Sequence, residues 1–329
     1  MNTNSRRAFL KLLGGSAVAA LAMAPARKIF ARSLDTTSIG IAPIKHSTFV
    51  MGQVATITIY GANEAHANAA INDAFAELRK VDSLMSVFDS NSQLSRINAL
   101  AAKDSLPADP YTLETVRAAI KYADLTNNAF DPTVEPLMRV WGFHKERSTR
   151  PTDKEIAAAV EAVGARNIKI EGNSIGMLKP GASIDLGSIA VGYAVGRAAE
   201  KLKQHGITSA LVEVSGDFYA IGAPPGEKGW KVGIVDPLHT ESIITSITIH
   251  DESLTTAGNY ENYVVYNAVK YGHVLDPHNG FPAHALASAT VISKSATEAD
   301  AYSTAAFVNP AISSPTCKII RVTNAGAIV

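Results

Sequence analysis

Two oxygen-bearing side chains near the carboxyl end of the chain, Asp300 and Thr304, have the spacing of ligands to a hard divalent cation. They stand four residues apart in a segment of helical periodicity, and residues at that spacing share one face of a helix. Mg²⁺ is usually held by a few oxygen ligands, with phosphate oxygens and water completing its shell. The alternative is structural: an acidic residue near a helix N-terminus and a threonine satisfied within the helix.

The segment Asp185-Leu186-Gly187-Ser188 leads directly into a second predicted helix, over 189–205. A turn of small residues before a helix presents free backbone N–H groups and the positive end of the helix dipole, which suit a diphosphate. Turns of this kind are common, so the segment alone is a weak indication. A zinc centre is not indicated, because the nine histidines lack an HExxH-like spacing and Cys317 is the only cysteine in the sequence.

The elements that position these residues follow from hydrophobic periodicity. Helices are predicted over 64–83, 111–127, 152–163, 189–205 and 297–308. Strands are predicted over 49–60, 168–170, 174–178, 210–214, 218–221, 230–235, 242–250 and 319–322, with further strands within 264–274. Helices and strands come in blocks rather than in strict alternation. We therefore expect an α+β fold, as a single compact two-lobed body with mixed or antiparallel sheets flanked by helices.

The composition excludes several classes of protein. Of the 329 residues, 47% are apolar and 18% are charged, which supplies a sizeable core and argues against disorder. The 30 basic and 30 acidic side chains balance, so the sequence has no basic footprint for nucleic acid. A single cysteine excludes an internal disulfide framework. We therefore expect a globular protein that binds no nucleic acid.

The beginning of the chain has the pattern of a signal peptide. Its first 31 residues contain five basic side chains and no acidic one, with Arg6-Arg7 ahead of a weakly apolar run over 12–24. The paired arginines resemble a twin-arginine signal, and cleavage is expected at 24–26 or later, near Ala31. A membrane anchor is the alternative, although the run is shorter than the about 20 residues that a span needs.

Four ordered groups of segments carry a resemblance to a known family. They read MSVFDS over 85–90 with LSRIN over 94–98, AFDPTVEPL over 129–137 with WGF over 141–143, IDLGSIAVGYA over 184–194, and TTAGNY over 255–260 with HVLDP over 273–277 and EADAYSTA over 298–305. In this order they resemble the ApbE family of FAD:protein FMN transferases. The resemblance implies a T-fold-related catalytic body. It also implies the family's reaction, in which FAD is split at its diphosphate and FMN is attached to a Ser or Thr of another protein with Mg²⁺.

The resemblance assigns roles to individual positions. Asp300 and Thr304 would bind Mg²⁺ with the backbone carbonyl of Ser188, and as a ligand Asp300 is expected to be exposed. His273 would accept the proton of the incoming hydroxyl, since an imidazole suits a general base; a structural histidine bonded to a turn is the alternative. The positions matched to flavin contacts are Met51, Phe88, Ala129, Phe130, Asp131, Asp185, Val191 and Val274. Apolar and aromatic faces suit a flat ring, and core packing is the alternative for each.

The chain departs from the family's pattern at several positions. Val191 stands where the family commonly has Lys, which removes a cation from the flavin site. Phe88 replaces a frequent Tyr, and Ser188 a more usual Gly or Ala. The stretch Glu213-Val214-Ser215-Gly216-Asp217 is interpreted as a scaffold turn, while Arg96 and Asn98 could orient a loop or cap a helix. The alternatives to a transferase are an exported FAD-binding maturation factor with weak transferase activity and a metal-dependent FAD pyrophosphatase.

The expected partner is an acceptor flavoprotein. By resemblance it would be a subunit of a membrane respiratory or electron-transfer complex, including those linked to nitrous oxide respiration. FAD would be the FMN donor and Mg²⁺ the cofactor. We expect a signal peptide over 1–31 and one transferase domain over 32–329. The expected location is the periplasm, reached by the twin-arginine pathway, with inner-membrane association if the signal stays uncleaved.

Overall fold

A computed structural model describes residues 31–33, 42–100 and 104–329. The predicted signal peptide therefore lies outside the described residues, apart from Ala31. This residue opens strand β1 (Ala31–Ser33), where it is buried and pairs with Ile234 of strand β9 (Trp230–Val235). Within the described part of the chain, no helix is both long and apolar enough to cross a membrane.

The centre of the molecule is a seven-stranded sheet in which every neighbouring pair of strands is antiparallel. In spatial order its strands are β15 (Lys318–Val322), β14 (Ser288–Ser293), β11 (Ser253–Gly258), β8 (Asp217–Ile221), β7 (Ala210–Val214), β3 (Gln53–Ile59) and β2 (Ile44–Val50). Three smaller antiparallel sheets accompany it: β1, β9 and β10 (Ile243–Ile249); β4 (Leu106–Pro107), β6 (Ser174–Met177) and β5 (Ile168–Glu171); and the hairpin of β12 (Tyr263–Tyr266) and β13 (Val269–Gly272).

Seven α-helices lie in the described part of the chain. They are α1 (Glu64–Met85), α2 (Gln93–Leu100), α3 (Pro110–Leu125), α4 (Glu135–Val140), α5 (Asp153–Val160), α6 (Ala190–Gln204) and α7 (Ala296–Val308). Helices α1, α6 and α7 pack against the main sheet, and α6 contacts both of the others. This helix layer buries the larger apolar core.

The main sheet is buried on both faces. Val212 of β7 belongs to the core beneath the helices, whereas the adjacent Leu211 belongs to a second cluster with Phe218 and Trp230. The small sheet that contains β9 supplies Trp230 and so covers the second face. A third apolar cluster, which includes Trp141, joins α4 and α5 to the β12–β13 hairpin and forms a smaller lobe.

The expected α+β fold is confirmed, and all five predicted helices are present within a few residues of their predicted bounds. The single strand predicted over 49–60 is wrong in its first part, because residues 49–50 end β2, Met51 and Gly52 form a turn, and β3 begins only at Gln53. Met51 and Gly52 have φ angles of 54° and 70°. Methionine rarely adopts such left-handed angles, so the sequence does not predict a turn here. Strands β11 and β14 were not predicted, since strands buried on both faces over nearly all of their length lack an alternating pattern.

Candidate active site

Helices α6 and α7 touch at Gly192. A Cβ atom there would lie 2.4 Å from the carbonyl oxygen of Ala296 and 2.6 Å from Cβ of Asp300, so only glycine allows this approach. One turn further along α6, Gly196 faces Ala296. Gly192 thus contacts both Ala296 and Asp300 of α7, whereas Gly196 contacts only Ala296, so the contact shifts towards the start of α7 as α6 advances and the two helices are antiparallel.

The predicted metal ligands lie on or next to these two helices. Ser188 lies two residues before α6, and Asp300 and Thr304 lie one turn apart on α7. The ligand set would consist of one carboxylate, one hydroxyl and one backbone carbonyl. Among the described residues, no group of three or more His, Cys, Asp or Glu side chains is arranged to hold a metal.

Asp300 is buried, at 6% exposure, contrary to the expectation that a metal ligand is exposed. One of its oxygens, Oδ2, accepts a hydrogen bond of 2.8 Å from the backbone N–H of Gly192. Burial, together with the charge of Asp217, raises the pKa of Asp300 well above its ordinary value. Two carboxylates that repel each other in a place shielded from water are stabilised by a cation between or beside them.

Asp217 was assigned from the sequence to a scaffold turn. Ser215 and Gly216 do form the turn between β7 and β8, with φ angles of 51° and 97°. The carboxylate that follows them is nevertheless close enough to raise the pKa of Asp300, and its Oδ1 is buried with no hydrogen-bond partner within 3.5 Å. Such an orphaned buried oxygen beside Asp300 fits a site for a hard divalent cation.

The loop before α6 is held by contacts on several sides. The Asn98 amide both donates to and accepts from the backbone of Ile184, at 2.8 Å each, so this residue orients a loop, one of the two roles considered for it. The next backbone N–H, of Asp185, donates to Pro132 O at 2.7 Å. The Asp185 side chain accepts from Gly187 N at 2.7 Å through Oδ1. The loop is therefore fixed before any ligand binds.

His144 contacts this loop from outside it, and the sequence does not identify it as a site residue. Its Nε2 lies 3.1 Å from Oδ2 of Asp185, and its Nδ1 lies 3.5 Å from Oε1 of Glu135. Its ring packs nearly perpendicular to that of Phe88, with ring centroids 5.2 Å apart and planes at 84°. The only sequence signal is its position directly after the Trp141-Gly142-Phe143 motif, and spacing does not link it to Asp185.

The positions matched to flavin contacts fall into two classes. Phe88 is 66% exposed, so its ring is accessible to a flat ligand. By contrast, Phe130 is fully buried in the main core, and Ala129 is buried beside it. The Asp131 carboxylate accepts from Thr133 and from Ala165 N. The side chains of the segment over 129–131 are therefore part of the core or of structural hydrogen bonds.

Three other matched positions lie at element ends. Met51 sits in the β2–β3 turn, where its N–H donates to Oδ2 of Asp82 at 2.9 Å. Val191 is half-buried in the first turn of α6. Val274 is buried, and its N–H donates at 2.8 Å to Oδ1 of Asn259, the residue that follows β11.

His273 is half-buried and precedes this anchored residue. Its Nδ1 lies 3.1 Å from the carbonyl oxygen of Asn262, and its ring centroid lies 6.4 Å from that of Phe143. A carbonyl can only accept, so the contact places the proton on Nδ1 and the lone pair of a neutral ring on Nε2. That tautomer is the one required to accept a proton through Nε2.

Comparison with known proteins identifies this arrangement. The sequence profile described as the ApbE family matches residues 51–317, most of the chain. The chain belongs to the ApbE family. Among its ApbE relatives, the FAD:protein FMN transferase of Vibrio cholerae is 33% identical over 235 residues, 70% of each chain. The FAD:protein FMN transferase of Treponema pallidum is 28% identical over 277 residues, covering 79% of this chain and 76% of the relative.

Solved ApbE structures share the fold. The ApbE protein of Thermotoga maritima superposes with a TM-score of 0.81 at 30% identity, covering 88% of this chain and 96% of that one. The apo form of the Pseudomonas stutzeri flavinyl transferase ApbE superposes with a TM-score of 0.71 at 31% identity, covering 84% and 86%. The α+β body described above is thus the ApbE fold.

Proposed function

We propose that this protein transfers FMN from FAD to a Ser or Thr hydroxyl of another protein, with release of AMP and dependence on Mg²⁺. The observation that carries the proposal is the contact of α6 with α7 at Gly192. It sets a helix N-terminus, suited to a diphosphate, beside the Asp300 carboxylate, suited to a divalent cation. The names of the relatives, FAD:protein FMN transferases, support the same reaction.

In the proposed reaction, the acceptor hydroxyl oxygen forms a bond to the phosphorus of the FMN half of FAD. The bond from that phosphorus to the bridging oxygen breaks, and AMP leaves with the bridging oxygen. His273 accepts the hydroxyl proton through Nε2, since the Asn262 carbonyl holds the other ring nitrogen. The N-terminal end of α6 binds the diphosphate through the positive end of its dipole, since the N–H groups of Ala190 and Gly192 already donate to Leu186 and Asp300. The exposed ring of Phe88 packs against the flavin.

Asp300, Thr304 and the carbonyl of Ser188 would hold the Mg²⁺. Bound there, the metal neutralises charge on the diphosphate and makes its phosphorus more electrophilic. The chain itself needs no covalent nucleophile, because the attacking oxygen belongs to the acceptor.

We further propose that the protein acts in the periplasm after twin-arginine export. The acceptor would then be a flavoprotein subunit of a membrane respiratory or electron-transfer complex. The basis is the Arg6-Arg7 pair and the apolar run behind it. Mass spectrometry of periplasmic flavoproteins from cells with and without this protein tests both points: a peptide that carries FMN only when the protein is present identifies the acceptor.

The reaction is tested by incubating the purified protein with FAD, Mg²⁺ and an acceptor domain, with EDTA in a matched sample. Covalent flavin fluorescence on the acceptor, lost with EDTA, supports the proposal. Free FMN and AMP formed equally well without acceptor would indicate a pyrophosphatase instead. FAD that remains bound and intact would indicate a maturation factor that carries flavin without transferring it.

A further inference from the structure

His144 is a largely buried histidine with a carboxylate near each ring nitrogen. Nε2 lies 3.1 Å from Asp185 and Nδ1 3.5 Å from Glu135, and its side chain is only 11% exposed. A neutral imidazole has one N–H and one lone pair, so one carboxylate would face the lone pair. Only the doubly protonated ring donates to both. The geometry therefore favours an imidazolium.

Glu135 is fixed as the anchor of this contact. Arg139 donates to it from one turn further along α4, with Nε 3.1 Å from Oε1, and the Ser183 hydroxyl donates to Oε2. Although burial alone raises it, these donors and His144 lower the pKa of Glu135 to about 2. Glu135 is therefore an anion across the physiological range, and the proton in the contact belongs to His144.

The other neighbours of His144 are residues assigned to flavin binding. Asp185 belongs to the loop that leads into α6, and the exposed ring of Phe88 packs against the imidazole at a centroid distance of 5.2 Å. The charged groups that face the imidazole are thus Glu135 from α4 and Asp185 from the loop, with Arg139 behind Glu135. The His144 side chain thus joins the lobe that carries α4 to the segments of Asp185 and Phe88, both matched to flavin contacts.

We propose that His144 is a positioning residue whose imidazolium holds the Asp185 loop and Phe88 in the arrangement that binds flavin. The inference rests on the proposed function, because it takes Asp185 and Phe88 as flavin contacts. His144 itself transfers no proton in the reaction. Its contribution is to fix the Asp185 loop and the segment of Phe88 relative to each other before FAD binds.

The charge of His144 makes this arrangement sensitive to pH. Burial of the ring lowers its pKa, but the hydrogen bonds to Asp185 and Glu135 prevail and raise the pKa to about 9. Below that pH both contacts are present. As the pH rises through 9 the ring loses a proton, and a lone pair then faces one of the carboxylates. FAD affinity is expected to fall over the same interval.

The test is FAD binding, followed by flavin fluorescence from pH 6 to 10 with Mg²⁺ present, for the wild-type protein, His144→Gln and His239→Gln. The control, His239, is an exposed histidine 3.1 Å from the Asp236 carboxylate. We expect the wild-type and His239→Gln proteins to lose roughly tenfold in affinity between pH 8 and 10, the scale of one charged hydrogen bond. His144→Gln should show the weaker affinity at every pH. A wild-type Kd and pH profile in His144→Gln would overturn the proposal.

Glu135→Gln serves if His144→Gln does not fold. Removing one of the two carboxylates lowers the pKa of His144, so the fall in affinity should shift towards neutral pH. An unshifted midpoint would contradict the proposal. Transfer assays on the wild-type protein separate the two levels of inference: absent transfer at all pH values contradicts the proposed function, whereas active transfer with pH-independent FAD affinity contradicts only the role of His144.

Discussion

The backbone N–H of Gly192 donates a 2.8 Å hydrogen bond to Oδ2 of Asp300, and this bond ties the first turn of α6 to the middle of α7. It leaves Oδ1 of Asp300 for another partner. The carboxylate is buried, and the nearby Asp217 raises its pKa further. The contact thus places the Asp300 carboxylate, which a cation would stabilise, next to the N-terminus of α6, which favours phosphate.

Gly192→Ala should disrupt both the helix contact and the reaction. The new Cβ would lie 2.4 Å from a backbone oxygen of Ala296, so the helices must separate. We expect a loss of about 1–3 kcal/mol in the free energy of unfolding, the usual scale of overpacking, and a large loss of FMN transfer. Chemical denaturation and the transfer assay measure the two effects.

Gly196→Ala is the matched control in the same helix. Its Cβ would lie 3.7 Å from Cβ of Ala296, an ordinary contact. Alanine is favoured over glycine inside a helix by up to about 1 kcal/mol, so this variant should be unchanged or more stable, with normal transfer. Equal stability of the two variants would show that the close approach at Gly192 is not a constraint.

Asp300→Asn should abolish Mg²⁺-dependent transfer while leaving the metal-free protein at least as stable as the wild type. The amide keeps the shape and can still accept from Gly192 N, but it removes a desolvated charge beside Asp217. Thermal unfolding without metal and transfer with Mg²⁺ are the measurements. A variant that transfers FMN at the wild-type rate would refute the assignment of Asp300 as a ligand.

His273→Gln should slow transfer by roughly 10²–10⁴-fold, the usual scale for loss of a general base, with FAD binding little changed. Glutamine can donate to the Asn262 carbonyl but accepts no proton near neutral pH. His284→Gln is the control, since His284 also has Nδ1 near a carbonyl, that of Pro282 at 3.3 Å, but is exposed. Unaltered turnover in His273→Gln would reduce His273 to a structural residue.

Val191→Lys should tighten FAD binding by roughly tenfold, because it introduces a cation in the first turn of α6, where the diphosphate is proposed to bind. Val191 is half-buried, so a longer side chain can extend towards solvent. FAD titration in the two proteins measures the effect. Equal affinities would mean that Val191 does not face the flavin site.

Much of this site follows from local sequence, but its connections do not. The helix that bears Asp300 and Thr304 and the turn before α6 are both recognisable from spacing, because periodicity and helix starts are local properties. The bond between Gly192 and Asp300 links residues 108 positions apart. Asp300 was expected from the sequence to be exposed. It is buried because α6 packs against α7, a contact that the sequence does not reveal.

The contacts of His144 are even less predictable from the sequence. It contacts Asp185 and Glu135 only because three segments meet in space, and no helical or strand spacing relates them. At Phe130, a motif position matched to a flavin contact, the structure has a ring fully buried in the core, as in the core-packing alternative. A motif preserves the backbone path of a site, whereas the direction of each side chain is set by tertiary packing.

Anomalous diffraction tests most directly whether α6 and α7 together hold a divalent cation against the diphosphate of FAD. Crystals grown with FAD and Mn²⁺, the latter in place of Mg²⁺, should show an anomalous peak coordinated by Asp300, Thr304 and the carbonyl of Ser188, in contact with diphosphate oxygens. A flavin bound without any peak at these residues, or a peak on other residues, would contradict the account.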